Sequence, residues 1–106
     1  MNLIIDNDIS ILKDKECLIL FYFTAKWCGP CQKIKPMIEK LSEGLNNSKV
    51  EVYMVDIDVN DDLALELEVN SVPTFYLFLN KELIGQTSGA DIFNVHKLIK
   101  DNLDKV

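Results

Sequence analysis

The stretch "AKWCGPCQKIKP", residues 25–36, carries the side chains best suited to chemistry. Cys28 and Cys31 stand three apart, with Gly29 and Pro30 between them and Trp27 in front. Such a pair is half of a metal site, a structural crosslink, or a dithiol that opens and closes as it works. At a helix start, positions i and i+3 lie on nearly one face. Their Cα atoms then fall within the roughly 4.4–6.8 Å that a disulfide tolerates. Pro30 is harmless there, because first-turn amides have no intrahelical acceptor. Those free amides and the positive helix end favour a thiolate at Cys28. Cys31, one turn in, is expected to lie deeper and be less accessible. An exposed thiolate that attacks and a buried partner that resolves is the asymmetry that thiol–disulfide exchange requires.

The other two readings have less behind them. A structural zinc site takes four Cys or His ligands, and the chain offers only Cys17, Cys28, Cys31 and His96. Cys17 begins a strand-like run, His96 falls in the last helical segment, and no spacing draws either to the pair. A permanent crosslink over so short a loop gains little loop entropy. Three cysteines are too few for a disulfide scaffold. In a reducing compartment a close pair points to catalysis or metal binding rather than to a staple.

The elements that must position the pair alternate between strand and helix. "NLII" (2–5) is a short apolar run, and "DISILK" (8–13) suits one or two helical turns. "CLILFYF" (17–23) is continuously apolar, as in a strand buried on both faces. Ile34, Met37, Ile38, Leu41 and Leu45 recur at helical spacing, predicting a helix from near Cys28 to about Asn46–Asn47. "KVEVYMVDIDV" (49–59) reads as a second strand, with Val50, Val52 and Met54 on one face. Asn60 is a good N-cap for a short helix that carries Asp61 and Asp62 in its first turn and turns Leu63 and Leu67 to the core. "TFYLFL" (74–79), a turn at "NKE" (80–82) and an antiparallel edge at "LIGQTS" (83–88) follow. Ile92, Val95, Ile99 and Leu103 mark a closing helix. Strands separated by helices imply an α/β domain with a mostly parallel or mixed sheet.

Composition narrows the classes of partner. The 106 residues fit one compact domain, 1–106. A net charge of −6 argues against nucleic acid and against an anionic membrane surface, both of which need a basic footprint. No segment approaches the ~20 apolar residues of a spanning helix. "MNLIIDNDIS" has no basic start and too short an apolar run for a secretory signal, so a cytoplasmic setting is expected. Asp56, Asp58, Asp61 and Asp62 lack the Gly and Glu spacing of a calcium loop. Cys17 is expected to be a half-buried strand residue, His96 a surface residue of the last helix, and Lys33 and Lys35 solvated charges.

The landmarks Trp27-Cys28-Gly29-Pro30-Cys31, then Pro36, then Val72-Pro73-Thr74 before a strand, then Gly89-Ala90 before the last helix, resemble the thioredoxin family. They occur in the family's order and span nearly the whole chain. The resemblance implies a mixed sheet of about five strands flanked by helices on both faces, with the pair on a strand-to-helix loop. It implies that Pro36 kinks the active-site helix, and that Pro73 is cis and lies beside the cysteines. It further implies a shallow apolar groove for protein disulfides, walled by Trp27, Gly29, Pro30, Val72, Pro73 and Gly89. The Val72 backbone would pair there with an extended substrate segment. Asp58 would accept from the Trp27 indole. The Gly-Pro between the cysteines resembles the reducing branch, which implies a monomeric protein disulfide reductase fed by a thioredoxin-reductase-like donor. No cofactor is implied beyond the Cys28–Cys31 pair. The alternative is an adaptor of the same fold whose groove holds a partner while the cysteines turn over slowly.

The chain also departs from that pattern. The family usually has a buried Asp six residues before the first cysteine, and here that position is Tyr22. Met54 replaces a frequent Lys, and Asn80-Lys81 stands where a turn glycine is common. A phenol, with a reference pKa of about 10, is a far weaker base than a carboxylate near pH 7. Tyr22 is therefore expected to donate a hydrogen bond rather than relay protons, leaving resolution slower than attack at neutral pH.

Overall fold

The computed structural model describes residues 1–10, 12, 16–45 and 49–106. Five strands form one sheet: β1 (Asn2–Leu3), β2 (Leu18–Thr24), β3 (Val50–Asp56), β4 (Thr74–Leu79) and β5 (Glu82–Ser88), in spatial order β1-β3-β2-β4-β5. β1 and β2 run parallel to β3, while β4 is antiparallel to both β2 and β5. The helices are α1 (Gly29–Gly44), α2 (Asp61–Glu66) and α3 (Ile92–Lys100), followed by a 3-10 turn at Leu103–Lys105.

β2 is central, and all seven of its residues are buried. Alternation divides them between two cores. Phe21 and Phe23 pack with Tyr53, Tyr76, Phe78 and Leu63 on one face. Leu18, Leu20 and Tyr22 pack with Ile34 and Ile38 of α1 and Val95 and Ile99 of α3 on the other. A strand covered on both faces needs apolar side chains at every position, which is why this run shows no period of two. The expected α/β architecture, a mixed sheet with helices on both faces, is the one observed.

Several local expectations shift. β3 ends at Asp56 rather than running to 59, because the chain turns there: Asn60 N–H donates to the Asp56 carbonyl (2.9 Å) and Asp58 N–H to Asp56 Oδ1 (2.9 Å). α1 closes at Gly44; Asn46–Asn47, where its end was expected, lie outside the described residues, as do positions 11 and 13 of the "DISILK" segment. Met37, placed on the buried face by spacing, is 52% exposed. The α1 stripe is narrower than its apolar residues suggest, with Ile34 and Ile38 at its centre.

Asn60 sits at the N-cap of α2, but its side chain makes no capping bond. Its Nδ2 donates to the carbonyls of Ile4 (3.0 Å) and Asp56 (3.1 Å), and its Oδ1 accepts from Asn7 N–H (2.8 Å). Asn7 caps the helix instead, since its Oδ1 accepts from Leu63 N–H at 2.9 Å. The turn after β4 is tighter than expected. Leu79 pairs directly with Glu82, and Asn80 and Lys81 have φ of 51° and 73°. Two left-handed residues in a two-residue loop match the twist of the hairpin. At Gly85 a Cβ would come within 2.6 Å of Leu98 Cδ1, so α3 lies close over β5.

Candidate active site at the start of the first long helix

β2 delivers the chain to the site, and the loop after it is clamped by one carbonyl. The Ala25 oxygen accepts from Cys28 N–H (3.2 Å) and from the Gln32 side-chain amide (2.9 Å). Cys28 is the N-cap of α1, with Pro30 in the first turn. The cap acceptor is its sulfur: Cys31 N–H points at Cys28 Sγ across 3.2 Å. No acidic side chain occupies the first turn. The helix end therefore favours negative charge at Cys28 without a competing carboxylate.

Cys28 and Cys31 form a disulfide, with Cα atoms 5.3 Å apart. Cys31 is fully buried and Cys28 is 5% exposed. The order of depth is as expected, but Cys28 is far less open than the exposed thiolate anticipated from a helix start. Ala25, Ile57 and Val72 pack around the pair and close it off. Cys28 Sγ lies 3.7 Å from the Val72 carbonyl oxygen. The Val72–Pro73 bond is cis, and Pro73 is buried. Gly89 N–H donates to the Pro73 carbonyl (2.9 Å) from a backbone with φ of 97°, a left-handed geometry that suits glycine.

Of the expected groove residues, Val72 meets Cys28 and Gly89 meets Pro73. Trp27 is 69% exposed, and its indole N–H donates to Asp58 Oδ2 at 2.9 Å. Gly29, Pro30 and Gly89 are exposed and Val72 is half-buried. A hollow of about 620 Å³ lies elsewhere, between the loop after α2 and β5. Exchange with a protein disulfide needs an accessible sulfur edge, not an enclosed chamber.

Tyr22 lies beneath the pair, fully buried and stacked on Phe75 at 5.2 Å. Its hydroxyl donates to the Cys31 carbonyl oxygen at 2.6 Å, so it engages the backbone of the second cysteine. Burial pushes its pKa above the ordinary value, with the charge of Glu39 adding to the effect. The Thr24 hydroxyl is near enough to act the other way, yet falls short of a hydrogen bond. Two contributors carried no readable signal in the sequence. Gln32 clamps the loop and Ile57 packs on the pair, and both depend on contacts across the chain.

Cys17 is buried at the far end of β2, where its Sγ meets Glu51 Oε2 at 3.4 Å. It is more buried than expected. His96 is exposed on α3. Among the described residues, no three His, Cys, Asp or Glu side chains are grouped to hold a metal ion. No helix among them is long and apolar enough to cross a membrane.

The thioredoxin family model matches residues 6–103. Rabbit thioredoxin (Oryctolagus cuniculus) is 43% identical over 70% of this chain and 69% of its own length. Thioredoxin-1 of Saccharomyces cerevisiae is 38% identical over 90% and 88%. The crystal structure of Malassezia sympodialis thioredoxin superposes with a TM-score of 0.88 at 30% identity, covering 97% of this chain and 90% of that one. The chain belongs to the thioredoxin family, and is a thiol–disulfide oxidoreductase that reduces protein disulfides through the pair Cys28–Cys31.

Proposed function

We propose that Cys28 is the attacking sulfur and Cys31 the resolving one. The observation that carries this is the Cys31 N–H aimed at Cys28 Sγ, with Cys31 itself sealed from solvent. In the reduced protein that amide and the helix end stabilise a Cys28 thiolate. It attacks one sulfur of a substrate disulfide, and the other sulfur leaves as a thiolate. Cys31 then displaces the substrate from Cys28 and closes the disulfide seen here. The substrate segment lies across Trp27, Gly29, Pro30, Val72, Pro73 and Gly89, where main-chain pairing at Val72 recognises an extended strand without reading its side chains. Trp27 and Asp58 form one wall, and Tyr22 supports the second cysteine from below.

Electrons reach the pair from a thioredoxin-reductase-like donor and leave to protein disulfides. The protein works as a monomer, a single domain over 1–106, in the cytoplasm. The net charge of −6 supports a protein partner over nucleic acid or an anionic membrane. Cys31→Ser should accumulate covalent adducts with disulfide substrates that thiol reductants release, and Cys28→Ser should form none and lose reduction altogether. Adducts on Cys28→Ser instead would reverse the two roles. Failure of the intact protein to reduce insulin with a reductase present would favour the adaptor.

A further inference from the structure

The hollow of about 620 Å³ between the loop after α2 and β5 begins next to the groove. Ser71 and Thr74 line it and flank the cis bond Val72–Pro73. Ser88, also in its lining, precedes the Gly89 whose N–H holds the Pro73 carbonyl. From Ser88 the wall follows β5 to Leu83. Five steps of strand at about 3.4 Å make a trough of roughly 17 Å, room for about five residues of an extended peptide. The hydroxyl protons along it are already committed. Tyr76 donates to the Leu67 carbonyl (2.9 Å) and Thr74 to the Ser71 carbonyl (2.8 Å). A threonine hydroxyl has a single proton. In its contacts with Ser71 Oγ (3.2 Å) and Ser88 Oγ (3.1 Å), Thr74 Oγ1 therefore accepts and the serines donate. Tyr76, Ser71 and Ser88 are left with lone pairs and no proton to offer. Among the described residues that line the hollow, Glu68 alone is charged, and it is exposed. The neutral amides of Asn70 and Gln86 can turn either end to a ligand.

We propose that this trough is a specificity subsite of the substrate groove, and that it takes a basic side chain, arginine above lysine, carried about three residues from the substrate's reacting cysteine. The inference rests on the reading that a substrate segment pairs with the Val72 backbone. The Val72 carbonyl oxygen lies 3.7 Å from Cys28 Sγ, so a substrate cysteine held by Cys28 stands opposite Val72. Ser71 comes next along the loop and Glu68 three residues further, within reach of about three extended residues of substrate. A wall of acceptors with one carboxylate repels an anion and has no proton for a neutral acceptor. It matches a group that is positive and only donates. Guanidinium offers five N–H donors in a planar fork and no acceptor, and ammonium offers three. The net charge of −6 attracts basic peptides wherever their charge sits, whereas a subsite depends on its position in the sequence. The contact is made before and during exchange alike, so it acts on binding and not on the cysteine chemistry.

The test uses disulfide-linked peptides alike except for Arg, Gln or Glu placed about three residues before or after the cysteine. Quenched-flow single turnovers with the reduced protein give a second-order rate for each. On one of the two sides the Arg peptide should react about fivefold faster than the Gln peptide at low salt, the scale of a charge-assisted contact at an exposed site. The Glu peptide should be slowest, and the Arg advantage should shrink toward unity as ionic strength rises. Arg moved to the far end of the peptide should lose it. Glu68→Gln should abolish the advantage, and Ser88→Ala should lower it in part. Glu66→Gln removes the same charge from α2, outside the hollow, and should keep it. Equal rates for the Arg and Gln peptides, or an advantage that survives in Glu68→Gln, would overturn the subsite alone. If no peptide reacts while a small-molecule disulfide is still reduced, the pairing at Val72 is wrong and the subsite falls with it. Self-association in sedimentation that Glu68→Gln abolishes, with no peptide preference, would overturn the proposal by giving the hollow to a second copy of the chain.

Discussion

The Tyr22 hydroxyl donates to the Cys31 carbonyl oxygen across 2.6 Å, from the central strand to the first turn of the active-site helix. The second cysteine is thereby tied by its backbone to the floor of the domain, and its sulfur is left to other groups. Tyr22→Phe removes the donor and keeps the ring on Phe75. We expect a loss of about 1–2 kcal/mol in denaturant unfolding, the cost of one buried hydrogen bond, with the pH profile of resolution unchanged. Tyr22→Asp should speed resolution near pH 7 at a larger cost in stability, because it buries a carboxylate. A shifted profile in Tyr22→Phe would show that the phenol does carry the proton.

Stability should fall at alkaline pH for a related reason. Tyr53 is raised to about 12, first by burial and then by Glu51, whose Oε1 accepts its hydroxyl at 3.0 Å; Tyr22 is raised too. Both phenols are held protonated in the fold above their unfolded value of about 10. Their contribution is complete below pH 10 and lost as the pH rises through the folded values. The urea midpoint should therefore drop between pH 10 and 12, and drop less in Tyr53→Phe. Equal slopes for the two proteins would remove Tyr53 from the account.

The single tryptophan gives a direct report on the groove. Asp58→Ala deletes the acceptor of the Trp27 indole N–H, and the ring is already 69% exposed. We expect a change in tryptophan emission and a KM for protein disulfides raised roughly fivefold, about 1 kcal/mol of lost positioning. Stability should move by less than about 0.5 kcal/mol, as for most surface changes. A small-molecule disulfide, which does not span the groove, should be reduced as before. An equal loss on both substrates would place Asp58 in the chemistry rather than in recognition.

Asn7 should matter to stability although it lies far from the site in sequence. It has φ of 59° and its side chain caps α2 at Leu63 N–H. Asn7→Gly loses only the cap, about 1 kcal/mol. Asn7→Ala also carries the strain of a left-handed residue, roughly 1–2 kcal/mol more. Thermal unfolding should separate the two variants by several degrees, given about 4–8 °C per kcal/mol in a domain near this size. Identical melting points would mean that the backbone relaxes and the strain is absent.

Much of this molecule is legible in its sequence because the signals are local. The unbroken apolar run of β2, the helical recurrence of Ile34, Ile38, Val95 and Ile99, and the extent of β4 over Thr74–Leu79 all follow from periodicity and burial. The three-residue spacing of Cys28 and Cys31 at a helix start already suits a disulfide, and the observed 5.3 Å between their Cα atoms fits that geometry. The meeting of Trp27 with Asp58 was available only through resemblance, because no local rule links residues 31 apart.

Only the tertiary structure decided where the polar groups point. Spacing assigns Met37 to a buried face, but solvent reaches it because the stripe that α1 buries is narrow. A capping preference singles out Asn60, but Asn7 provides the cap while Asn60 ties the loop to Ile4 and Asp56. The apolar run marks Tyr22 as a buried phenol, but not that it would choose the Cys31 carbonyl and leave the Thr24 hydroxyl without a partner among the described residues. Apolar burial is non-directional and proportional to area, so the pattern of residue types along the chain records it. A hydrogen bond depends on distance and angle between groups that folding alone brings together, and so leaves no period in the sequence to read.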